Sequence, residues 1–291
     1  MIDPNNLYFY FIFLAQILLA SWYIPNKLLL RMKTVMEKYP PEQYPKLYAG
    51  SIQGYKILQQ RYQRLNSVIF TLGFSLLSAI IMWDYSTQGR INEMIPWAYF
   101  MLQMVPVMYL EVKEIKYFKA MRNSNTNTKK VATIAPRKLF DFLPPKLFVL
   151  AIIMMLVAFS LAIKQYGFKG NAIESIIIIF ATNLFFTGII FWNIYGKKQD
   201  PYQSSEDRLK IIKITVKSLV YISIGVSIFL SVQMLIKIFD LNYLKTSVMS
   251  IYCQLILWIS IGTRLKQIKI DDIDFSVYKT KNESSDIESA Q

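Results

Sequence analysis

The sequence predicts an all-α integral membrane protein, a seven-transmembrane-helix bundle with its N-terminus outside and its C-terminus in the cytoplasm. Two observations carry this. Of 291 residues, 54% are hydrophobic and only 18% charged, against about 25% charged in ordinary globular domains, and mean hydropathy is +0.30. The apolar residues gather in blocks parted by basic stretches, each long enough to cross a hydrocarbon core of roughly 30 Å. The second observation is where the cations fall. Of 33 Lys and Arg, 28 lie in the alternate segments 26–66, 111–146, 196–217 and 263–291, and 5 lie on the other side. The acids divide 14 to 5 in the same order, so the whole net charge of +14 belongs to one face. An excess of Lys and Arg marks the cytoplasmic side.

The spans follow in order. The first, 7–24, is broken only by Gln16 and Ser21. No Lys or Arg precedes it and no small-residue cleavage pattern follows it, so it reads as a signal anchor rather than a cleaved signal peptide. The others are 68–83, 95–110, 147–163, 175–195, 218–236 and 246–262. The third is the least apolar, carrying Pro96, Gln103 and Pro106; proline is tolerated where neighbouring helices satisfy the freed carbonyl. Residues 1–262 thus form the membrane domain, and 263–291 form a cytoplasmic tail expected to be mostly disordered, being acidic and serine-rich after Lys269.

Four cytoplasmic pieces carry individuality. In 51–66, Ile52, Tyr55, Leu58, Tyr62 and Leu65 fall on one helical stripe, while Arg61 and Arg64 lie among the polar positions. That pattern predicts a basic amphipathic helix leading into the second span and suited to lie along an anionic leaflet. Before it, Pro40, Pro41 and Pro45 alternate with Tyr39, Tyr44 and Tyr48, which predicts an extended elbow. Residues 123–130, NSNTNTKK, read as polar and exposed, and 133–148 set Arg137 and Lys138 beside Phe140. Rings at headgroup level with cations reaching phosphate form a lipid or partner contact, assigned here to Arg137, Lys138, Phe140, Arg61 and Arg64. In 197–213, Ser204 or Ser205 is placed to cap a helix beginning near Glu206 and Asp207.

Two counts exclude whole classes of chemistry. There is no histidine and one cysteine, Cys253, which removes histidine bases and ligands, disulfides and Cys-ligated clusters. Between the ends of the seven spans there is no Asp, Glu, Lys or Arg, so ion-coupled transport and a retinal Schiff base lack their residues. Gln16, Gln103, Asn183, Gln233 and Gln254 remain as polar groups that would line a path or serve as interhelical glue. Ser223, Ser227 and Ser231 recur every four residues, a close-packing seam. No phosphate loop or hydrolase motif occurs.

The function expected from this is a non-catalytic scaffold, sensor or accessory subunit of a bacterial cytoplasmic (inner) membrane, with a basic face for anionic lipid or a protein partner. A facilitator for a small neutral or amphiphilic solute is the alternative. An inner-leaflet enzyme, with Glu111 and Glu114 as its acids, comes third. No cofactor, metal or nucleic acid is expected; the serine seam packs either inside the bundle or between copies, so a homo-oligomer is an open alternative.

Overall fold

The computed structural model describes residues 4–48, 52–87, 91–124, 137–167, 170–196 and 200–279. Among them there is no strand, and each of the seven apolar blocks lies within a long helix. The first long helix runs through three consecutive pieces, Pro4–Leu18, Leu19–Tyr23 and Ile24–Lys38. The second is Ile52–Thr87, the third Met94–Ser124, the fourth Pro145–Tyr166, the fifth Gly170–Tyr195 and the sixth Ser205–Ile238. The seventh comprises Lys245–Leu257, Trp258–Gly262 and Thr263–Gln267. Among the described residues six helices are long and apolar enough to cross a membrane, and the third is not one of them. The chain is therefore a multi-pass membrane protein.

The middle pieces of the first and seventh helices are π-helical. In the first, the Ile24 N–H reaches back five residues to the Leu19 carbonyl, and Pro25 follows. Proline has no N–H to give and its ring collides with the carbonyl four residues earlier, here Ser21. Widening the turn removes the collision and leaves Ser21 facing the interior, 4% exposed.

The helices form two packed groups. The first, second, third and seventh enclose Phe9, Phe13 and Ile17 against Ile69, Leu77, Ile80 and Tyr99, and Ala20 and Ile24 against Phe100, Cys253 and Leu257. The fourth, fifth and sixth enclose Ile190, Ile194, Val216, Val220 and Ile224, closed at one end by Phe142 and Leu143. Phe229 of the sixth stacks on Tyr252 of the seventh at 4.1 Å and joins the groups. Along the sixth helix Ser223, Ser227 and Ser231 are buried, and Ser227 and Ser231 donate to the carbonyls four residues earlier. With their hydroxyls folded back, Ser227 and Ser231 each occupy little more than an alanine, and Ser223 donates across to Asn183 of the fifth helix. Leucine at Ser227, wholly buried, should overpack this seam by about 1–3 kcal/mol. A thermal-unfolding midpoint and monodispersity equal to wild type in the same detergent would refute the seam.

Several expectations about the basic end need correction. Residues 52–66 lead into the second span without a break, as one 36-residue helix, rather than lying along the leaflet. The middle of their apolar stripe meets protein, while Ile52 at its start is exposed. Tyr62 is fully buried, and Tyr55 packs edge-on against Tyr48 and Tyr117. The proline elbow is not extended either. Gln43 and Tyr44 both donate to the Pro40 carbonyl, and Pro45–Leu47 forms a 3₁₀ turn. The tail, expected to be disordered after Lys269, is folded through Lys279: Phe275 and Tyr278 are 8% and 6% exposed. They join Met121, Tyr39, Tyr44, Leu47, Tyr117 and Tyr202 in a separate core. Residues 280–291 and most of NSNTNTKK lie outside the described residues.

Candidate functional site

Two places gather polar side chains, one inside the first helical group and one at the basic end.

Inside, Gln16 and Gln103 face one another between the first and third helices, 0% and 2% exposed. Gln16 Nε2 donates to Gln103 Oε1 at 3.1 Å and to the Pro96 carbonyl at 3.1 Å. Gln16 Oε1 accepts from the Ser250 hydroxyl of the seventh helix at 2.6 Å. Gln103 Nε2 donates to Ser21 Oγ at 2.9 Å and to the Gln16 carbonyl at 3.3 Å. Tyr99 OH stands 3.2 Å from Ser21 Oγ and donates to the Ile69 carbonyl of the second helix at 3.0 Å. Gly73 makes room for that phenol, since a Cβ there would lie 2.1 Å from Tyr99 OH. Gln254 closes the same group, donating to the Ile12 carbonyl at 2.9 Å. Four helices are thus tied together at depth, and both amide NH₂ groups of the central pair are spent on protein acceptors. Such a saturated network rigidifies its core.

The remaining polar-path residues stand elsewhere. Asn183 accepts from Ser223 of the sixth helix at 2.5 Å and donates to Ser227 at 3.4 Å and to the Ile179 carbonyl of its own helix at 2.8 Å. Gln233 Nε2 is buried with no bond to either group. The five residues are not brought together into one path.

One buried carboxylate escaped the sequence reading. Asp84 follows the predicted second span by one residue, was counted with the outer face, and is 0% exposed. The helix continues to Thr87, carrying Asp84 against the start of the first helix. Asn6 Nδ2 donates to one oxygen at 2.9 Å and Tyr10 OH to the other. The signal available was the triple of Asn6, Tyr10 and Asp84, all within a turn of a predicted span end; nothing local paired them.

At the basic end, Arg137 Nη1 donates to the Ile194 carbonyl at 2.9 Å, and Arg208 Nη2 donates to the Gly196 carbonyl at 2.7 Å. Two guanidiniums cap one helix terminus, where free carbonyls and the negative end of the dipole attract cations. Burial, then the neighbouring Arg137, lowers the pKa of Arg208. Lys138 and Phe140 point outward, the latter 54% exposed. The Lys138 backbone N–H is taken by Asp141 at 2.9 Å. Arg61 and Arg64 are exposed on the extension of the second helix. Ser204 is the N-cap of the sixth helix, as its sequence predicts, accepting from the Asp207 N–H at 3.1 Å.

The docked tail is the largest feature there. Arg31 donates to the Ile268 carbonyl, Lys38 pairs with Asp271 and Lys210 with Asp272. Asp207, 7% exposed, accepts the Asp274 N–H at 3.0 Å. Tyr278 donates to Asp200, and Phe275 stacks on Tyr39 at 3.9 Å. Burial, and then Asp200 holding its proton, raises the Tyr278 pKa; burial also pushes Tyr48 up to about 12. The run Asp271-Asp272-Ile273-Asp274 reads in sequence as solvated charge, yet each acid has a defined partner. Two grooves lie beside this end. One of about 270 Å³ is lined by Phe148, Ile152, Phe180, Asn183 and Ser223, and a shallower one of about 280 Å³ by Lys146, Lys217 and Tyr221 with Leu147 and Leu150. Comparison with known proteins finds no matching family model, curated protein or solved structure.

Proposed function

We propose that this protein is a seven-span scaffold, sensor or accessory subunit of a bacterial inner membrane, whose basic cytoplasmic end presents a built surface to a protein partner and to anionic lipid. The observation that carries the reading is the length of its helices at that end. A hydrocarbon core of roughly 30 Å needs about 20 helical residues, while the second, third and sixth helices have 36, 31 and 34. At about 1.5 Å per residue the second alone is some 54 Å long. The surplus lies at the end holding the elbow, the tail and the aromatic core, where the sequence also concentrates its positive charge. A protein that needed only to cross would not build a folded layer there. The N-terminus is then outside and the C-terminus cytoplasmic.

The facilitator reading is weaker, because the amides it would use already bond protein groups. An inner-leaflet enzyme is the weakest reading: Glu111 is exposed, and Glu114, whose pKa is raised chiefly by burial, has the Arg264 charge opposing that shift. Native mass spectrometry of the protein gently extracted from its own membrane tests the reading. A stoichiometric second protein or tightly held anionic lipid is expected. A retained small polar solute, with neither of those, overturns it.

A further inference from the structure

We propose that the groove between the fourth and sixth helices is a specific site for one anionic glycerophospholipid, with the phosphate between Lys146 and Lys217 and an acyl chain against Leu147 and Leu150. This names a partner for the basic end and rests on the reading above that this end faces an anionic leaflet.

Both helices begin at the basic end and run in the same direction into the apolar layer, so their gradients from polar to apolar coincide. On the fourth, Lys146 stands in the first turn and Leu150 one turn deeper; on the sixth, Lys217 is followed one turn deeper by Tyr221. Two ammonium groups therefore lie at the rim, with leucine and a phenol below them, which is the vertical order of a phospholipid. Tyrosine rings favour that boundary depth.

The charge balance calls for an anion. Lys146 lies at the start of a helix, where the dipole is positive and a cation is disfavoured. Lys217 is half-buried beside it. Neither lysine takes part in the two ion pairs found among the described residues, Lys38–Asp271 and Lys210–Asp272. Asp141, the nearest acid along the chain, is held by the Lys138 N–H. Four other cations at this end have defined partners: Arg137 and Arg208 cap carbonyls, and Lys38 and Lys210 hold the tail. The leucine walls favour a lipid over a free phosphate, which would gain nothing from them.

The test is native mass spectrometry of the full chain in mild detergent with phosphatidylglycerol or phosphatidylcholine added. Wild type should retain one phosphatidylglycerol per chain and discriminate against phosphatidylcholine. K146Q/K217Q should retain it at least about tenfold less, on the order of one kcal/mol for each cation at an anionic surface. K146R/K217R should restore retention, which separates lost charge from lost folding. K33Q/K56Q, at two exposed lysines outside the groove, should behave as wild type, and millimolar glycerol 3-phosphate should not displace the lipid. Equal retention by K146Q/K217Q and wild type overturns the site, as does full displacement by glycerol 3-phosphate. Loss in K33Q/K56Q alone overturns the site but leaves the basic end as a lipid-binding face. No retention by any form, together with no stoichiometric partner, removes both this site and the proposed function.

Discussion

Replacing Gln16 by leucine is expected to lower the unfolding free energy by about 2–3 kcal/mol, the sum of three bonds at roughly 0.6–1 kcal/mol each. The side chain is similar in volume, so little cavity forms; the loss comes from partners left facing an apolar interior. Those partners are Gln103 Oε1, the Pro96 carbonyl and the Ser250 hydroxyl. Gln103→Leu should cost a similar amount by freeing Ser21 and the Gln16 carbonyl, and the double variant should cost less than the two singles together, because they share a bond. Reversible unfolding in detergent measures this. The same variants separate glue from path. A solute path predicts changed uptake at unchanged stability, and that outcome would reject the structural role assigned here.

Removing residues 269–291 is expected to leave the membrane helices intact and loosen the layer at the basic end. The truncation deletes Phe275 and Tyr278, and emptying buried aromatic sites costs about 3–5 kcal/mol each. It uncovers Tyr39, Tyr44 and Met121, and leaves buried Asp207 without the Asp274 N–H. The exposed pairs Lys38–Asp271 and Lys210–Asp272 add little to this, since surface ion pairs contribute under about 1 kcal/mol. Limited proteolysis should cut within 39–51 in the truncated chain and spare it in wild type. Phe275→Ala alone should give the same cut more slowly. An unchanged digestion pattern in both would mean that the tail does not hold the elbow. Circular dichroism should show nearly equal helix content throughout.

The difference between these two regions explains how far the sequence could be read. The helices were legible because their signals are local. Blocks of apolar residues flanked by Lys and Arg identify each long helix, and the prolines at 25, 96 and 106 mark where a helix must bend, widen or find outside partners. Ser204 before Glu206 and Asp207 identified the start of the sixth helix in the same way. Apolar blocks report only the membrane thickness, however. They did not show that the second helix runs 36 residues without a break, since a polar but helix-forming extension carries no hydrophobic signal. The stripe of Tyr55 and Tyr62 was read correctly as amphipathic and assigned to lipid; Tyr55 packs on Tyr48 of the elbow and Tyr117 of the third helix, and Tyr62 is fully buried. Amphipathicity states that a face is covered, not by what.

Sequence alone determined that the chain is helical, apolar and multi-pass, where its long helices lie, and that its cations collect in alternate segments. These follow from composition and short-range pattern, because the cost of placing charge or open backbone in hydrocarbon is levied residue by residue. Tertiary structure alone decided which polar groups meet. Gln16 and Gln103 are 87 residues apart, Gln16 and Ser250 are 234, and Asp84 and Tyr10 are 74. Lys146 and Lys217 converge only because the fourth and sixth helices pack in parallel. The tail shows the point most directly: Phe275 and Tyr278 stand among acids and serines with too little apolar surface to fold on their own. They become ordered because a surface built by residues 35–47, 117–121 and 202 is already there to bury them.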